Sequence, residues 1–562
     1  MHCVRPISAA SVAVLLMLPS ALIADTSDHL NVRPPQAPDY QKSAPGEAFI
    51  LPTVPSAPHE VARPVARRLV LREVAFRGNT VIVSGDLAAV AAPFLGRELG
   101  DADLETLRQA LTRHYVERGY VNSGALLGEV RDGILAVDIV EGRLSAIRLT
   151  GLERLDEDYV VRRLVRDENA VLNVEDLRER FLLLLEDPLF ERINARLVPG
   201  QRPGEAVLDL VATRAQPYRL TAFANNYRPP SIGSEGIGLT GLVRNVTGRG
   251  DVFDATWQQS TTSDPSTRYN LGWRIPLTQR GTLLSIQYDH GRSAVVEEPL
   301  RALDIRSVLD STDLGVSQNL VETLAHKFTV GINRVFRENR TTLLGRPFSF
   351  SAGEPDGVTK VRAWRYWQEY GYRTENQALA LRYTLTQAHN NLQDPSALLP
   401  ATTTVQPDHA YRIWLGQIQY ARRLLDNGTQ LVLRGSRQGT SANLPSIDRM
   451  AVGGVYTVRG YRENQLIRDE GTVANVELDI PVLRGDGGSL NLIPFFDWGR
   501  GKNRNEQATV ISSAGLAARA RWQGVAVDLA LARRLAHPDS VSRQGGNLQD
   551  DGVHLQVSYN FF

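Results

Sequence analysis

From about Tyr218 to Phe562, apolar and polar residues alternate one by one over short runs. The last run places Val553, Leu555, Val557, Tyr559 and Phe561 against His554, Gln556, Ser558 and Asn560. A period of two describes a strand with one apolar and one polar face. The same period recurs at Tyr218-Leu220-Ala222-Ala224, Leu271-Trp273-Ile275 and Thr282-Leu284-Ile286-Tyr288, between turns rich in Gly, Asp, Asn and Pro. All seven Trp (257, 273, 364, 367, 414, 498 and 522) fall in this region. No apolar stretch in it approaches the roughly 20 residues of a transmembrane helix. The combination predicts a transmembrane antiparallel β-barrel, with lipid-facing and lumen-facing residues alternating and aromatic rings at the two interfaces. A secreted sandwich or solenoid is the other fold that such alternation allows. At about ten residues per tilted strand, the region holds roughly 14 to 18 strands, an even number being expected. Short turns are read at Asn245–Asp251, Gln279–Gly281 and Asp426–Gly428, and longer surface loops at about Glu297–Arg306 and His389–Asp408.

Two small units of common plan precede the barrel. In the first, Leu69–Leu71 and Val74–Phe76 read as a strand ended by Gly78-Asn79. A helix from Ser84 or Gly85 to Val90 follows. A second, capped by Asp101 or Asp103, carries Leu104, Leu107, Leu111 and Tyr115 at helical spacing. Two strands, about Ala125–Val130 and Ile134–Val140, flank the tight Asp132-Gly133 turn. The second unit repeats the order. It has a strand at Ile147–Leu149, a helix after Asp156 or Asp158, and a helix after Asn173 with Leu177, Phe181, Leu184 and Leu185. A hairpin from about Phe190 to Val198 and Val207 to Val211 turns at Pro203-Gly204. Each is a β-α-α-β-β module with a three-stranded sheet, whose exposed edge could accept an extended peptide as an added strand; a rigid spacer with guarded edges is the alternative.

Composition narrows the setting. A net charge of +1 over 562 residues offers no footing for nucleic acid, and 42% hydrophobic content suits a barrel whose strands are half wet. Residues 1–24 read as a secretory signal peptide: His2 and Arg5, an apolar core from Ala9 to Leu18, and cleavage after Ala24. Cys3, the sole cysteine, precedes that core, so the mature chain carries neither disulfide nor thiolate metal site. Asp25 to Pro64 has Pro at 34, 35, 38, 45, 52, 55, 58 and 64, which favours an extended spacer. The alternative is a mobile element that enters the lumen or contacts a partner.

No hydrolase elbow, phosphate loop or zinc helix is present, and the ten His lack ligand spacing. The reading is therefore of a protein that is not an enzyme, with no catalytic residue, no cofactor and no metal. Two late motifs remain: Gly453-Gly454-Val455-Tyr456-Thr457-Val458-Arg459-Gly460-Tyr461, and Phe495-Phe496-Asp497-Trp498-Gly499. An arginine confined in a lumen needs an acceptor of fixed geometry, and Asp497 is chemically suited to it. A solvated loop arginine and a turn aspartate are the plainer reading of the same residues.

With these motifs the chain, from about Leu69 to Phe562, resembles the transporter component of two-partner secretion systems (the haemolysin and filamentous-haemagglutinin exporters), within the Omp85 superfamily. Val458-Arg459-Gly460-Tyr461 matches the tip of the family's inward-folded loop. Phe495, Asp497 and Gly499 match its Phe-x-Asp-x-Gly strand, and the two modules match its paired POTRA domains. Beside the signal peptide at 1–24 and the Pro-rich linker at 25–68 read above from the residues, the resemblance implies POTRA domains at 69–142 and 143–215 and a 16-stranded barrel at 216–562. It places the loop, about 450–468, in the lumen with Arg459 paired to Asp497. It also implies an outer-membrane location with the POTRA domains in the periplasm. The implied function is export, without ATP, of a large exoprotein recognised through its N-terminal secretion domain. Membrane lipids, lipopolysaccharide and the barrel assembly machinery are the other implied partners. A barrel insertase of the same superfamily is the alternative, although insertases carry more POTRA units. Two features depart from the family pattern: no amphipathic plug helix is evident in 25–64, and the terminal alternation falls on Phe561 rather than Phe562.

Overall fold

The computed structural model describes residues 36, 38–41, 49–50 and 69–562, apart from 166, 168, 279, 280, 352, 393–405, 486, 505 and 537–545. The signal-peptide reading, most of the Pro-rich stretch and part of the Gln279–Gly281 turn lie outside these residues. The described chain forms two units, one built on the modules before Tyr218 and one on the barrel.

In the first module, the reading of one strand across Leu69–Phe76 needs correction. The chain makes two: β2 (Leu69–Val70), paired with β4 (Glu98–Leu99), and β3 (Glu73–Arg77), paired in parallel with β6 (Ile134–Val140). Leu71 is fully buried between them, so the chain bends to seat it in the core. The sheet is completed by β5 (Gly124–Arg131), antiparallel to β6. Helices α1 (Ser84–Ala91) and α2 (Asp101–Val116) cover it, burying Leu87, Leu107, Leu111 and Tyr115. The N-cap of α2 is Gly100, not Asp101 or Asp103; Asp103 instead accepts the Gly100 amide at 2.9 Å and so ties the first turn.

The second module has β7 (Arg143–Thr150), α3 (Glu157–Leu164), α4 (Val174–Leu185), β8 (Phe190–Pro199) and β9 (Glu205–Arg214). Asp156 and Asn173 cap the two helices through their side chains, as the sequence suggests. The module's own sheet runs β8-β9-β7. A fourth strand, β1 (Phe49–Ile50), comes from the Pro-rich segment and lies parallel to β8, with Phe49 opposite Ala195 and Ile50 opposite Arg196. The expected bare edge at β8 is thus partly occupied.

Sixteen long antiparallel strands close the barrel. They begin with β10 (Tyr218–Asn225), β11 (Gly236–Arg244), β12 (Val252–Ser260), β13 (Thr267–Pro276), β14 (Thr282–Ala294), β15 (Arg306–Glu322) and β16 (His326–Leu343). After the two-residue β17 (Arg346–Pro347) come β18 (Val358–Arg373), β19 (Gln377–Asn390), β20 (Ala410–Arg423) and β21 (Gln430–Gly439). A small hairpin, β22 (Met450–Val452) and β23 (Leu466–Arg468), interrupts the series. The wall resumes with β24 (Glu470–Gly485), β25 (Gly488–Lys502), β26 (Thr509–Trp522), β27 (Val525–Arg534) and β28 (Val553–Asn560), and β28 pairs with β10.

Alternation has the predicted consequence. Ile237, Leu239, Val243, Val557 and Tyr559 are exposed on the outer wall, whereas Asn475, Glu477, Asp497 and His554 are buried inside. Trp367 departs from the interface reading: it turns inward, and its Nε1 donates to Asn333 Oδ1 at 2.8 Å. One rim carries short turns, including Asn245–Asp251 and Asp426–Gly428, and the other carries the long connections. Inside the short-turn rim, Tyr40 donates to Gln430 at 2.7 Å and lies under Arg423, while Gln41 donates its amide to Thr374. The described part of the Pro-rich segment is therefore held, as a strand at one place and by a ring and an amide at another.

Candidate functional site

The connection between β21 and β24 turns back into the lumen as the β22–β23 hairpin. Its register, Met450 to Arg468 and Val452 to Leu466, leaves Gly453–Gln465 as the tip. Two bonds draw that tip tight: Gly454 donates its amide to Val458 O at 3.1 Å, and Gly453 donates to Thr457 Oγ1 at 2.8 Å. Val458 is fully buried with Met450, Val452, Leu466, Tyr461, Val473 and Ile511. This apolar footing fixes the hairpin against β24 and β26 before any charge is considered.

Arg459 is held in a fork. Its Nε and Nη2 donate to Asp497 Oδ2 and Oδ1, both at 2.7 Å, and its backbone amide donates to Oδ2 at 3.1 Å. The third nitrogen, Nη1, meets Glu477 at 2.7 Å. The guanidinium lies 3.5 Å over the Phe495 ring. Asp497 is fully buried and also accepts from Asn475 at 2.8 Å. Arg434 closes the group on the far side of Glu477. Two guanidinium groups and two carboxylates thus neutralise one another within hydrogen-bond reach, the condition under which buried charge is tolerable. Their positions follow from register: Asn475 faces Asp497, Glu477 faces Phe495, and Arg434 faces Asn475 from the other side.

Gly460 is gripped from the last two strands. Its amide donates to His554 Nε2 at 3.0 Å, and its carbonyl accepts from Arg534 Nε at 2.5 Å. Because Nε2 accepts, His554 is neutral there and carries its proton on Nδ1. With φ of +85° and the site of a Cβ only 2.8 Å from Ala532 Cβ, position 460 admits glycine alone without strain. Tyr461 is fully buried and its hydroxyl reaches the carbonyls of Ser512 and Ala536. Gly499 lets the tip approach the wall: a Cβ there would stand 2.5 Å from Val452 and 2.7 Å from Val458.

The structure therefore brings together all seven residues singled out in the sequence: Val458, Arg459, Gly460, Tyr461, Phe495, Asp497 and Gly499. Several partners were not read from the sequence. Arg462 forks onto Asp550 at 2.7 and 2.6 Å and reaches Glu297 at 2.9 Å. Gln549 accepts the Glu463 amide and donates to the carbonyls of Asn226 and Arg228, joining the tip to the β10–β28 closure. At the root of the connection, Arg337 donates to Asp448 at 2.7 Å, and the Tyr411 hydroxyl donates to the other oxygen of that carboxylate. Glu477 had a legible signal, being one of the polar alternates Asn475, Glu477 and Asp479 on β24. The described residues contain no group of three or more His, Cys, Asp or Glu arranged to hold a metal ion.

Comparison with known proteins agrees with this architecture. The family described as haemolysin secretion/activation protein ShlB/FhaC/HecB matches residues 204–522, and the ShlB-type POTRA domain matches residues 69–142. The outer membrane transporter CdiB of Dickeya dadantii (strain 3937) is 25% identical over 233 residues, 38% of this chain and 41% of that protein. The hemolysin transporter protein ShlB of Serratia marcescens is 25% identical over 239 residues, 42% of this chain and 40% of that protein. The matched stretch thus spans about two fifths of either relative. The solved structure of CdiB from Escherichia coli shares the fold with a TM-score of 0.68 at 19% identity, over 90% of this chain and 93% of that one. A lumen loop on paired charges, a sixteen-stranded wall and the match over more than half the chain lead to one assignment: the chain belongs to the haemolysin secretion/activation protein family ShlB/FhaC/HecB.

Proposed function

We propose that this chain exports a large partner exoprotein across the outer membrane without ATP, its two modules taking up the exoprotein's N-terminal secretion domain in the periplasm. The observation that carries the reading is the loop tip held in the lumen by Arg459, Asp497 and Glu477. A polypeptide passing through the barrel must share that lumen, and the tip is attached by side-chain bonds that can open and re-form. The modules suit an extended guest. Among the described residues no strand pairs with the outer edge of β5, and the β8 edge already takes Phe49–Ile50 as an added strand. A secretion segment that competes for the β8 edge would displace the strand whose described residues are Phe49 and Ile50. The modules and the short-turn rim then face the periplasm and the long connections face outward. Outer-membrane lipids, lipopolysaccharide and, during biogenesis, the barrel assembly machinery complete the partners.

Orientation and function have separate tests. Cysteines at Glu129 and Arg346, both exposed, are treated with an impermeant thiol reagent on intact cells. Labelling is expected at 346 and not at 129, and the reverse result refutes the orientation. Secreted exoprotein per folded barrel is then measured after deletion of residues 69–215, with folding scored by heat-modifiable migration. Undiminished export would remove the modules from recognition.

A further inference from the structure

The outer wall of the barrel carries a set of arginines that no carboxylate among the described residues pairs with. Arg334, Arg362, Arg412 and Arg437 lie on β16, β18, β20 and β21. Register puts them on one face: Arg334 stands opposite Trp364, Phe336 opposite Arg362, Trp364 opposite Gln387, Gln387 opposite Arg412, and Arg437 opposite Gly416. Residues directly opposite in an antiparallel pair share a face. That face is the lipid side, since Phe336, Trp364, Tyr366 and Trp414 on it are exposed. Arg362, Arg412 and Arg437 are exposed as well.

Among the described residues, none of the four arginines has a carboxylate within ion-pair distance. Their neighbours nearer the long-loop rim differ: Arg340 pairs with Glu338 and Asp310, and Lys360 with Glu338. Rings hold two of the unpaired heads instead. Arg334 lies 5.1 Å over Phe336 and 4.9 Å over Trp364, and Arg437 lies 5.5 Å over Trp414. A tilted strand needs about 9–11 residues to cross the hydrocarbon. Counted from the short-turn ends of their strands, Arg437 is the eighth residue, Arg334 the ninth, and Arg362 and Arg412 the twelfth, which puts them near or just past the upper end of that span. At the midplane a lipid-facing arginine is costly, whereas at the interface it is nearly free because its stem lies along the apolar wall and its head reaches the polar layer.

A set of forked cations at headgroup level, with ring support and no counter-ion among the described residues, is suited to phosphate. With the long-loop rim outward, which rests on the orientation proposed above, the adjoining lipid is the phosphorylated glycolipid of the outer leaflet. We propose that the wall from β16 to β21 binds the phosphate groups of lipopolysaccharide through Arg362, Arg412 and Arg437, with Arg334 packed beneath them on Trp364.

The test uses the full chain folded in detergent, with heat-modifiable migration confirming the barrel. Native mass spectrometry follows titration with bisphosphorylated lipid A, with lipid A stripped of both phosphates, and with inorganic phosphate. In the combined variant Arg362→Gln, Arg412→Gln, Arg437→Gln, affinity for bisphosphorylated lipid A is expected to fall about 10–100-fold. Arg500→Gln with Arg533→Gln, on β25 and β27, should leave it unchanged. Any of three results overturns the proposal: equal affinity in the triple variant, equal binding of the stripped lipid, or displacement of lipid A by millimolar inorganic phosphate. Loss of binding in the β25 and β27 variant refutes the assignment to this sector. Export is scored separately; a wild-type barrel that binds the lipid but exports nothing refutes the transport reading alone.

Discussion

Arg459 and Asp497 are joined at three points: two prongs of the guanidinium and the backbone amide of Arg459 all end on the one carboxylate. The hydrogen bond from the amide survives any substitution at 459 except proline, so the carboxylate keeps a hold on the loop backbone even when the side chain is gone. The side chain also serves Glu477, which makes the two partners unequal.

Arg459→Ala takes its guanidinium from two buried carboxylates at once, leaving Asp497 with Asn475 and the loop amide and Glu477 with Arg434, whereas Asp497→Ala leaves the Arg459 guanidinium with Glu477. The arginine change is therefore expected to be the more damaging, by an amount within the roughly 3–5 kcal/mol that breaking a buried pair costs. Lys at 459 keeps the charge and loses the fork, so it restores export only in part. Secreted exoprotein per folded barrel, for both single variants and the double, supplies the cycle. A double loss well below the sum is expected; additive losses would show that the two residues act independently.

Asp448 offers a second, separable hold at the root of the loop, through Arg337 and the Tyr411 hydroxyl. Asp448→Ala should raise amide exchange around 444–452 while leaving the amides of Arg459 and Gly460 protected. Equal loss of protection at both places would mean that the root and the tip open as one unit.

Glu141 gives the first module a pH dependence. Partial burial opposes its charge. The Thr80 hydroxyl, the amides of Val81 and Thr80, and the Tyr115 hydroxyl outweigh that and hold its carboxyl below the ordinary range. A depressed native pKa adds stability that is fully present above the ordinary glutamate value of about 4.3. It is lost as pH falls through the lower native value. Glu141→Gln should therefore speed exchange of the Thr80 and Val81 amides at pH 7. The difference from wild type should close on acidification below about pH 4. A difference that persists undiminished in acid would assign it to shape rather than charge.

How much of this was legible follows from what each feature depends on. A strand's own alternation is local, so the barrel and its polar lumen could be read at Val553–Phe561 and its counterparts. Helix caps such as Asp156 and Asn173 are also local. Pairing is not: nothing in Phe49–Ile50 names β8 as its neighbour, and the break at Leu71 depends on Glu98–Leu99 arriving from elsewhere. Trp367 carried the same aromatic signal as the outward tryptophans, but its direction was set by parity on β18 and by Asn333. In the site, the Arg459–Asp497 pair came through family resemblance. Glu477 and His554 stood in plain view on polar faces, yet their partners depend on inter-strand register and on where the loop tip comes to rest.

Gly460 is where the loop tip, β27 and β28 meet, and its substitution separates geometry from bonding. Gly460→Ala leaves the amide and the carbonyl in place for His554 and Arg534. It forces an L side chain into φ of +85° and toward Ala532 Cβ. The left-handed conformation alone costs about 1–2 kcal/mol, and the contact adds to it. Ala532→Gly removes the contact but not the conformational cost, so the double variant should recover part of the loss and no more. His554→Ala removes one hydrogen bond without backbone strain, an effect of about 0.5–1.5 kcal/mol, and should be milder than Gly460→Ala. The measurements are amide exchange at 459–463 and exoprotein export, each per folded barrel. Full recovery with Ala532→Gly would assign the whole effect to crowding against β27. A His554→Ala loss exceeding that of Gly460→Ala would make the bond to β28, rather than the backbone conformation, the element that holds the tip.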